Sequence, residues 1–308
     1  MSYRNILVPL DGSQSAEAAI PYAKRLARSS RSRIHLVMVH EPAAVLVGMG
    51  DTPPLLELDQ ESRDQERSYL ASLSGELLQE GLPMVEFRDL EGAPGPCLCE
   101  EASRLEVDLV VMATHGRGTM GRLWLGSVAD YLVRHLTAPV LLVHPDRRVA
   151  SEEPEVHSVL VALDLSRESE AILEPVVTLS QVTGGYVTLV HVVEPVIGPV
   201  GLGAPFVPAV PPGVFTEQRT LALRKLDEVA DRLRARGVSV RARLVDSASA
   251  AVGLLETLQA KTYDLLAVTT HGRGGVRRLL LGSVADKVIR GAGKPVLVVR
   301  PSAALPPG

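Results

Sequence analysis

The chain is written twice, and few folds accommodate that. Leu7-Val-Pro-Leu-Asp11 returns as Leu160-Val-Ala-Leu-Asp164, and Glu41-Pro42 returns as Glu194-Pro195. Thr114-His-Gly-Arg-Gly118 returns as Thr270-His-Gly-Arg-Gly274, and Leu125-Gly-Ser-Val-Ala-Asp130 as Leu281-Gly-Ser-Val-Ala-Asp286. Pro139-Val-Leu-Leu-Val143 returns as Pro295-Val-Leu-Val-Val299. The order is kept and the spacing drifts by only a few residues. Two duplicated domains follow, 1–147 and 154–303, with a charged, proline-containing seam near Asp146–Pro154.

Within each copy, apolar runs alternate with helical stripes. The first copy predicts strands at Asn5–Leu10, Ile34–Val39, Met84–Arg88, Asp108–Ala113 and Pro139–His144. Its first helix carries Ala16, Ala19, Ile20, Ala23, Leu26 and Ala27, capped by Ser13 or Ser15. Its second carries Leu70, Leu73, Leu77 and Leu78 on one face after an irregular stretch, Val47–Pro54. The third spans Pro96–Leu105 and the fourth Ser127–Leu136. The second copy predicts strands near Ser158–Leu163, Tyr186–Val192, Ser239–Leu244, Asp264–Thr269 and Pro295–Arg300. Its helices fall near Ser166–Gln181, Thr216–Arg236, Ala250–Lys261 and Ser283–Gly291. Strands this continuously apolar suit a parallel sheet covered on both faces. The fold class is α/β: two tandem Rossmann-like domains, each a five-stranded parallel sheet flanked by about four helices.

Such sheets take ligands where strand C-termini meet helix starts. Asp11 and Asp164 end the first strands, Val39 and Val192 the second. A carboxylate there can accept from ribose hydroxyls or an adenine amine, or it can simply close a turn. In the loop after the fourth strand, nine residues separate Gly116 from Gly126 and Gly272 from Gly282, with Ser127 and Ser283 following. Glycines admit a phosphate close to the backbone, and the first helical amides point at it. The competing reading is a glycine turn and an ordinary serine cap. A loop-ordering hydrogen bond accounts for His115 and His271 more plainly than catalysis does. Arg117 and Arg273 face either phosphate or solvent, and Arg122, Arg277 and Arg278 make the region basic.

Both halves resemble the universal stress protein family, from Asn5 to about Pro301. The family's ATP-binding members carry Gly-x2-Gly-x9-Gly-Ser/Thr after the fourth strand and an Asp after the first. The resemblance implies an adenine nucleotide alpha hydrolase-like fold and a regulatory, ATP-binding (or AMP- or ADP-binding) role, with Mg held through the phosphates. It implies a site of Asp11, Val39, Ala113, Gly116, Gly126, Ser127 and Val128, with Asp164, Val192, Thr269, Gly272, Gly282, Ser283 and Val284 as its counterpart. The leading glycine is replaced by Ala113 and Thr269; a β-branched threonine forced to positive φ would be strained. Leu165 stands where the first copy has Gly12, so the first site is the better one. The resemblance also implies that the fifth strands pair within one chain, and it allows a homodimer.

The remaining features exclude more than they assign. A net charge of −4 marks no nucleic-acid partner. No Gly-x4-Gly-Lys-Ser/Thr loop occurs, and Asp130 and Asp286 help their helices start, so no catalytic residue is assigned. A slow ATPase and a degenerate, nucleotide-free scaffold are the alternatives. Cys97 and Cys99 are the only cysteines, read as thiols in a reducing cytoplasm and not as a metal pair. The N-terminus lacks a signal-peptide pattern, and no apolar run is long enough to span a membrane. The proline-rich, apolar stretch 198–213 reads as a lid or as cover for an interface.

Overall fold

A computed structural model of the chain describes residues 2–42, 53–115, 125–145, 154–194, 212–260, 263–270 and 281–301. Two compact units emerge: residues 1–155 with 293–300, and residues 156–292 with the C-terminal residues from 301.

Unit 1 alternates as the apolar pattern requires: β1 (Asn5–Leu10), α1 (Gln14–Glu17), α2 (Ile20–Ser30), β2 (Arg33–His40), α3 (Pro53–Gln79), β3 (Met84–Glu91), α4 (Pro94–Arg104), β4 (Leu109–Ala113), α5 (Ser127–His135) and β5 (Val140–Val143). The strands lie in the order β3-β2-β1-β4-β5, all parallel. Leu7, Leu36, Val110 and Leu142 are wholly buried in it; burying such a side chain contributes about 1.5–3 kcal/mol. β10 (Val296–Val299), the last strand in sequence, groups with this unit and runs antiparallel to β5, Leu297 opposite Leu141.

Unit 2 repeats the scheme: β6 (Ser158–Ala162), a 3-10 turn (Ser169–Ile172), α6 (Leu173–Thr183), β7 (Tyr186–Val193), α7 (Pro212–Arg234), β8 (Val240–Asp246), α8 (Ala250–Ala260), β9 (Leu265–Thr269) and α9 (Ser283–Gly291). Its order β9-β6-β7-β8 is parallel throughout and matches β4-β1-β2-β3.

Prolines account for where the helices break. The single first helix expected in each copy is interrupted. Pro21 has no N–H for the carbonyl of Glu17, so α1 ends there and α2 begins at Ile20. Pro175 does the same to Ala171, leaving a 3-10 turn ahead of α6. At a helix start proline is harmless, and Pro53 and Pro54 open α3 where an irregular stretch was expected, while Pro94 opens α4 two residues early. The stripe on α3 also needs correction. Leu70 and Leu77 are buried, but Leu78 faces solvent and Ser74 takes the inward place, its hydroxyl donating to the Val85 carbonyl at 3.4 Å. Spacings of four and three keep 70, 74 and 77 on one face. The edge strands β3 and β8 are only partly covered, unlike the inner ones. Cys97 and Cys99 are half-buried free thiols whose pKa burial raises.

Each unit is pinned at the N-terminal end of its first strand by one carboxylate. Asp108 accepts from the backbone amides of Arg4 at 2.7 Å and Asn5 at 2.9 Å. Asp264 accepts from His157 and Ser158, both at 2.9 Å. Charge-assisted bonds of this kind are the stronger sort. Asp108→Ala should lower the stability of unit 1, and Asp264→Ala that of unit 2, by about 2 kcal/mol. Urea unfolding followed by exchange at β1 and β6 measures both.

Candidate functional site

The strand order reverses between β1 and β4, and their ladder holds only at Ile6–Leu109 and Leu7–Val110. Beyond it lies Pro9, which has no N–H to offer a neighbouring strand. The two C-terminal ends therefore part, with Asp11 on one side and Ala113 on the other. A crevice at such a reversal is where sheets of this kind take ligands.

Asp11 builds the first lip. Its Oδ1 accepts from the Ser13 amide at 2.9 Å and the Ser13 hydroxyl at 2.6 Å. Ser13 Oγ accepts in turn from the Ala16 amide at 3.2 Å and caps α1. Unit 2 copies this: Asp164 Oδ1 accepts from the Ser166 amide at 2.9 Å and its hydroxyl at 2.5 Å, and Ser166 Oγ from the Ser169 amide at 3.1 Å. One carboxylate oxygen thus shapes the turn. The tight corner needs a left-handed residue between Asp and Ser: Gly12 has φ +76°, Leu165 φ +65°. Threonine strain, the expected fault of the second copy, is absent. Thr269 and Ala113 both end their strands in extended conformation, and neither has positive φ. The strain falls on Leu165 instead.

The second lip is a backbone hook. The Thr114 amide donates to the Val143 carbonyl at 2.9 Å, and the Gly126 amide donates back to the Thr114 carbonyl at 2.8 Å. Gly282 and Thr270 repeat the second bond at 2.8 Å. Gly126 leaves little room for a side chain: its φ is an ordinary −60°, but an added Cβ would lie 3.0 Å from the Thr114 oxygen, which would have to shift by a few tenths of an ångström. α5 and α9 then open at Gly126 and Gly282, N-caps with no side chain to cap their helices. Ser127, Ser283 and Val284 are exposed, and Val128 is half-buried. Asp130 pairs with Arg134 at 2.7 Å, and Asp286 with Arg290 at 2.8 Å. His115 Nδ1 lies 3.0 Å from the Thr114 hydroxyl, so it engages its own strand end. Val39 is half-buried and Val192 nearly enclosed. Gly116, Arg117, Arg122, His271, Gly272, Arg273, Arg277, Arg278 and residues 198–211 lie outside the described residues.

Sequence reasoning missed the part that α3 plays. Tyr69 donates to Glu17 at 2.8 Å, tying α3 to α1, and burial and that carboxylate push the phenol's pKa up. His40 is buried at the end of β2, its Nδ1 2.9 Å from Glu66 and its Nε2 3.1 Å from Asp59. Burial alone would lower its pKa, but the hydrogen bond to Glu66 and the charges of Glu66 and Asp59 outweigh it and raise it. The two acids stand seven residues apart on a helix whose apolar stripe says nothing of His40. Among the described residues, no group of three His, Cys, Asp or Glu side chains is placed to hold a metal ion.

The profile of the universal stress protein family matches residues 2–144 and 155–300. A universal stress protein of Mycolicibacterium smegmatis is 30% identical over 302 residues, covering 96% of this chain and 97% of that protein. One of Mycobacterium tuberculosis is 27% identical over 309 residues, covering 96% and 94%. The crystal structure of a universal stress protein from Archaeoglobus fulgidus superposes with a TM-score of 0.71 at 20% identity, covering 97% of this chain and 98% of that one, a likeness of fold.

If the Asp-x-Ser corner demands a left-handed middle residue, Gly12→Leu should destabilise unit 1 by about 1 kcal/mol without altering its far-ultraviolet circular dichroism. Chemical denaturation reads this; an unchanged midpoint contradicts it.

Proposed function

Because the chain belongs to the universal stress protein family, we propose that it is a regulatory adenine-nucleotide-binding protein. The observation that carries the reading is the pair of uncapped helix starts, at Gly126 and Gly282, each beside a strand reversal whose opposite lip holds an aspartate. Among the described residues, no N-cap side chain accepts from the first-turn amides of α5 and α9, since both N-caps are glycine, and a phosphate is the anion such amides suit. In this reading Gly126, Ser127 and Val128 hold the phosphates with Gly116, Ala113 borders them, Asp11 receives the ribose, and the Val39 backbone reads the adenine edge. Asp164, Val192, Thr269, Gly272, Gly282, Ser283 and Val284 do the same in the second repeat.

The functional domains are 1–147 and 154–303, each with one site, and ATP is the nucleotide, with ADP and AMP as weaker alternatives. Magnesium rides on the phosphates. No residue is assigned to catalysis. The antiparallel register of β10 on β5 supports pairing of the repeats through their fifth strands, and a homodimer of the whole chain is the further assembly. No helix among the described residues is long and apolar enough to cross a membrane. Scarce cysteine fits the cytoplasm.

The test is direct. Freshly purified protein, denatured and chromatographed, should release adenine nucleotide. Calorimetric titration of stripped protein with MgATP should show two sites. Asp11→Ala should weaken one at least tenfold, about 1.4 kcal/mol, and Asp11→Ala/Asp164→Ala should weaken both. No released nucleotide together with no heat at millimolar ATP would leave only a scaffold.

A further inference from the structure

The anchor that holds the long helix over the sheet recurs in both units: Arg63 of α3 pairs with Glu91 at the end of β3 at 2.5 Å, and Arg219 of α7 pairs with Asp246 at the end of β8. That recurrence sets the equivalences nearby. Four residues before the arginine stand Asp59 and Phe215; three after it stand Glu66 and Ala222. The strand residue before each Glu-Pro pair is His40 in unit 1 and Val193 in unit 2. The three positions carry an imidazole and two carboxylates in unit 1, and three apolar side chains in unit 2. Val193 and Ala222 are buried. The exchange is complete: all three positions differ in kind between the units.

The geometry also settles what the charged trio requires. Each ring nitrogen of His40 faces a carboxylate, at 2.9 and 3.1 Å. Nδ1 is hydrogen-bonded to Glu66 and Nε2 forms an ion pair with Asp59, and only the imidazolium is attracted to both carboxylates. The neutral ring would set a lone pair against one of the acids. The neighbouring charges are otherwise engaged. Arg63 also pairs with Asp89 at 3.1 Å and Arg67 with Asp89 at 2.8 Å, both tying α3 to β3, while Glu17 of α1 accepts from Tyr69. The backbone of His40 accepts from the Gly92 amide at 3.0 Å, so the strand end is fixed and loss of the His40 pairs is felt on the side of α3, which the arginine pairs then hold alone.

We propose that His40, clasped between Asp59 and Glu66, is a proton-dependent latch that fastens the N-terminal half of α3 over the end of β2 in unit 1 and has no counterpart in unit 2. Its partners raise the folded-state pKa above the ordinary value of 6.5. Its stabilisation is therefore complete below about 6.5 and is lost as pH rises through the folded value. The latch stands on geometry alone. Its consequence for the ligand rests on the nucleotide reading: Val39, proposed to border the adenine, is the residue before His40. Affinity at the first site should therefore fall over the same pH window, and that at the second should not.

Amide exchange of the full chain tests the latch. Corrected for intrinsic rates, protection over residues 57–68 should drop about tenfold between pH 6 and pH 9, while α7 stays level. In the variant H40V/D59F/E66A, which borrows the packing of unit 2, the drop should vanish. In Glu66→Gln, which removes one of the partners, the His40 ring proton resonance should titrate at lower pH than in the parent. Equal pH dependence in parent and triple variant, or an unshifted titration, overturns the latch. MgATP titration at both pH values separates the two claims. A pH-dependent α3 with no ATP binding at either pH defeats the nucleotide reading and leaves the latch standing. ATP binding of equal affinity at both pH values, in both sites, defeats the coupling.

Discussion

The feature on which the rest depends is the early parting of β1 from β4. Parallel strands stay joined only while each can offer an amide and a carbonyl to its neighbour. Here the ladder ends at Leu7 and Val110, and Pro9 withholds an amide just beyond. Crossovers before and after this point lead to opposite faces, because right-handed connections moving outward from β1 one way and from β4 the other must. The gap is thus a consequence of topology, and it leaves two loops facing each other with backbone groups that no strand satisfies. The Asp11–Ser13 turn resolves one set with a side chain. The Gly126 hook resolves the other with a carbonyl, and leaves a Cβ there little room.

How much of this was legible depended on the distance over which each signal acts. The duplication, the alternation of elements and the parallel sheet are carried by local apolar patterns, and the family follows from motifs that survive in both halves. Ser13 as cap and Asp11 as turn-former are contained in five residues. Helix breaks at Pro21 and Pro175 were in principle readable, since a missing amide is a property of the residue itself, but the alanine stripe spoke more loudly. The outward turn of Leu78 was not readable: four leucines near one stripe exceed what one face can bury, and tertiary packing chooses among them. The fault assigned to Thr269 was misplaced because positive φ is demanded by the Asp-x-Ser corner, one strand away from where the motif places the substitution. His40, Asp59 and Glu66 were invisible because nothing in strand or helix periodicity links a residue on one to a pair on the other.

The two repeats solve the same packing problem with opposite chemistry, which bears on what duplication permits. A helix laid across a strand end can be held by burying apolar surface or by compensating charges. Apolar contact is indifferent to solution conditions, and it weakens gradually with each atom removed. A compensated charge cluster holds only while every member keeps its ionisation state, and it fails as a unit. Leu165 shows the same asymmetry on a smaller scale: unit 2 tolerates a strained corner that unit 1 relieves with Gly12. The tolerated strain argues that the Asp164–Ser166 turn is worth more than the left-handed leucine costs. Asp164 binds the Ser166 amide and hydroxyl, and Ser166 accepts from the Ser169 amide, so the corner keeps three hydrogen bonds against the strain of its middle residue.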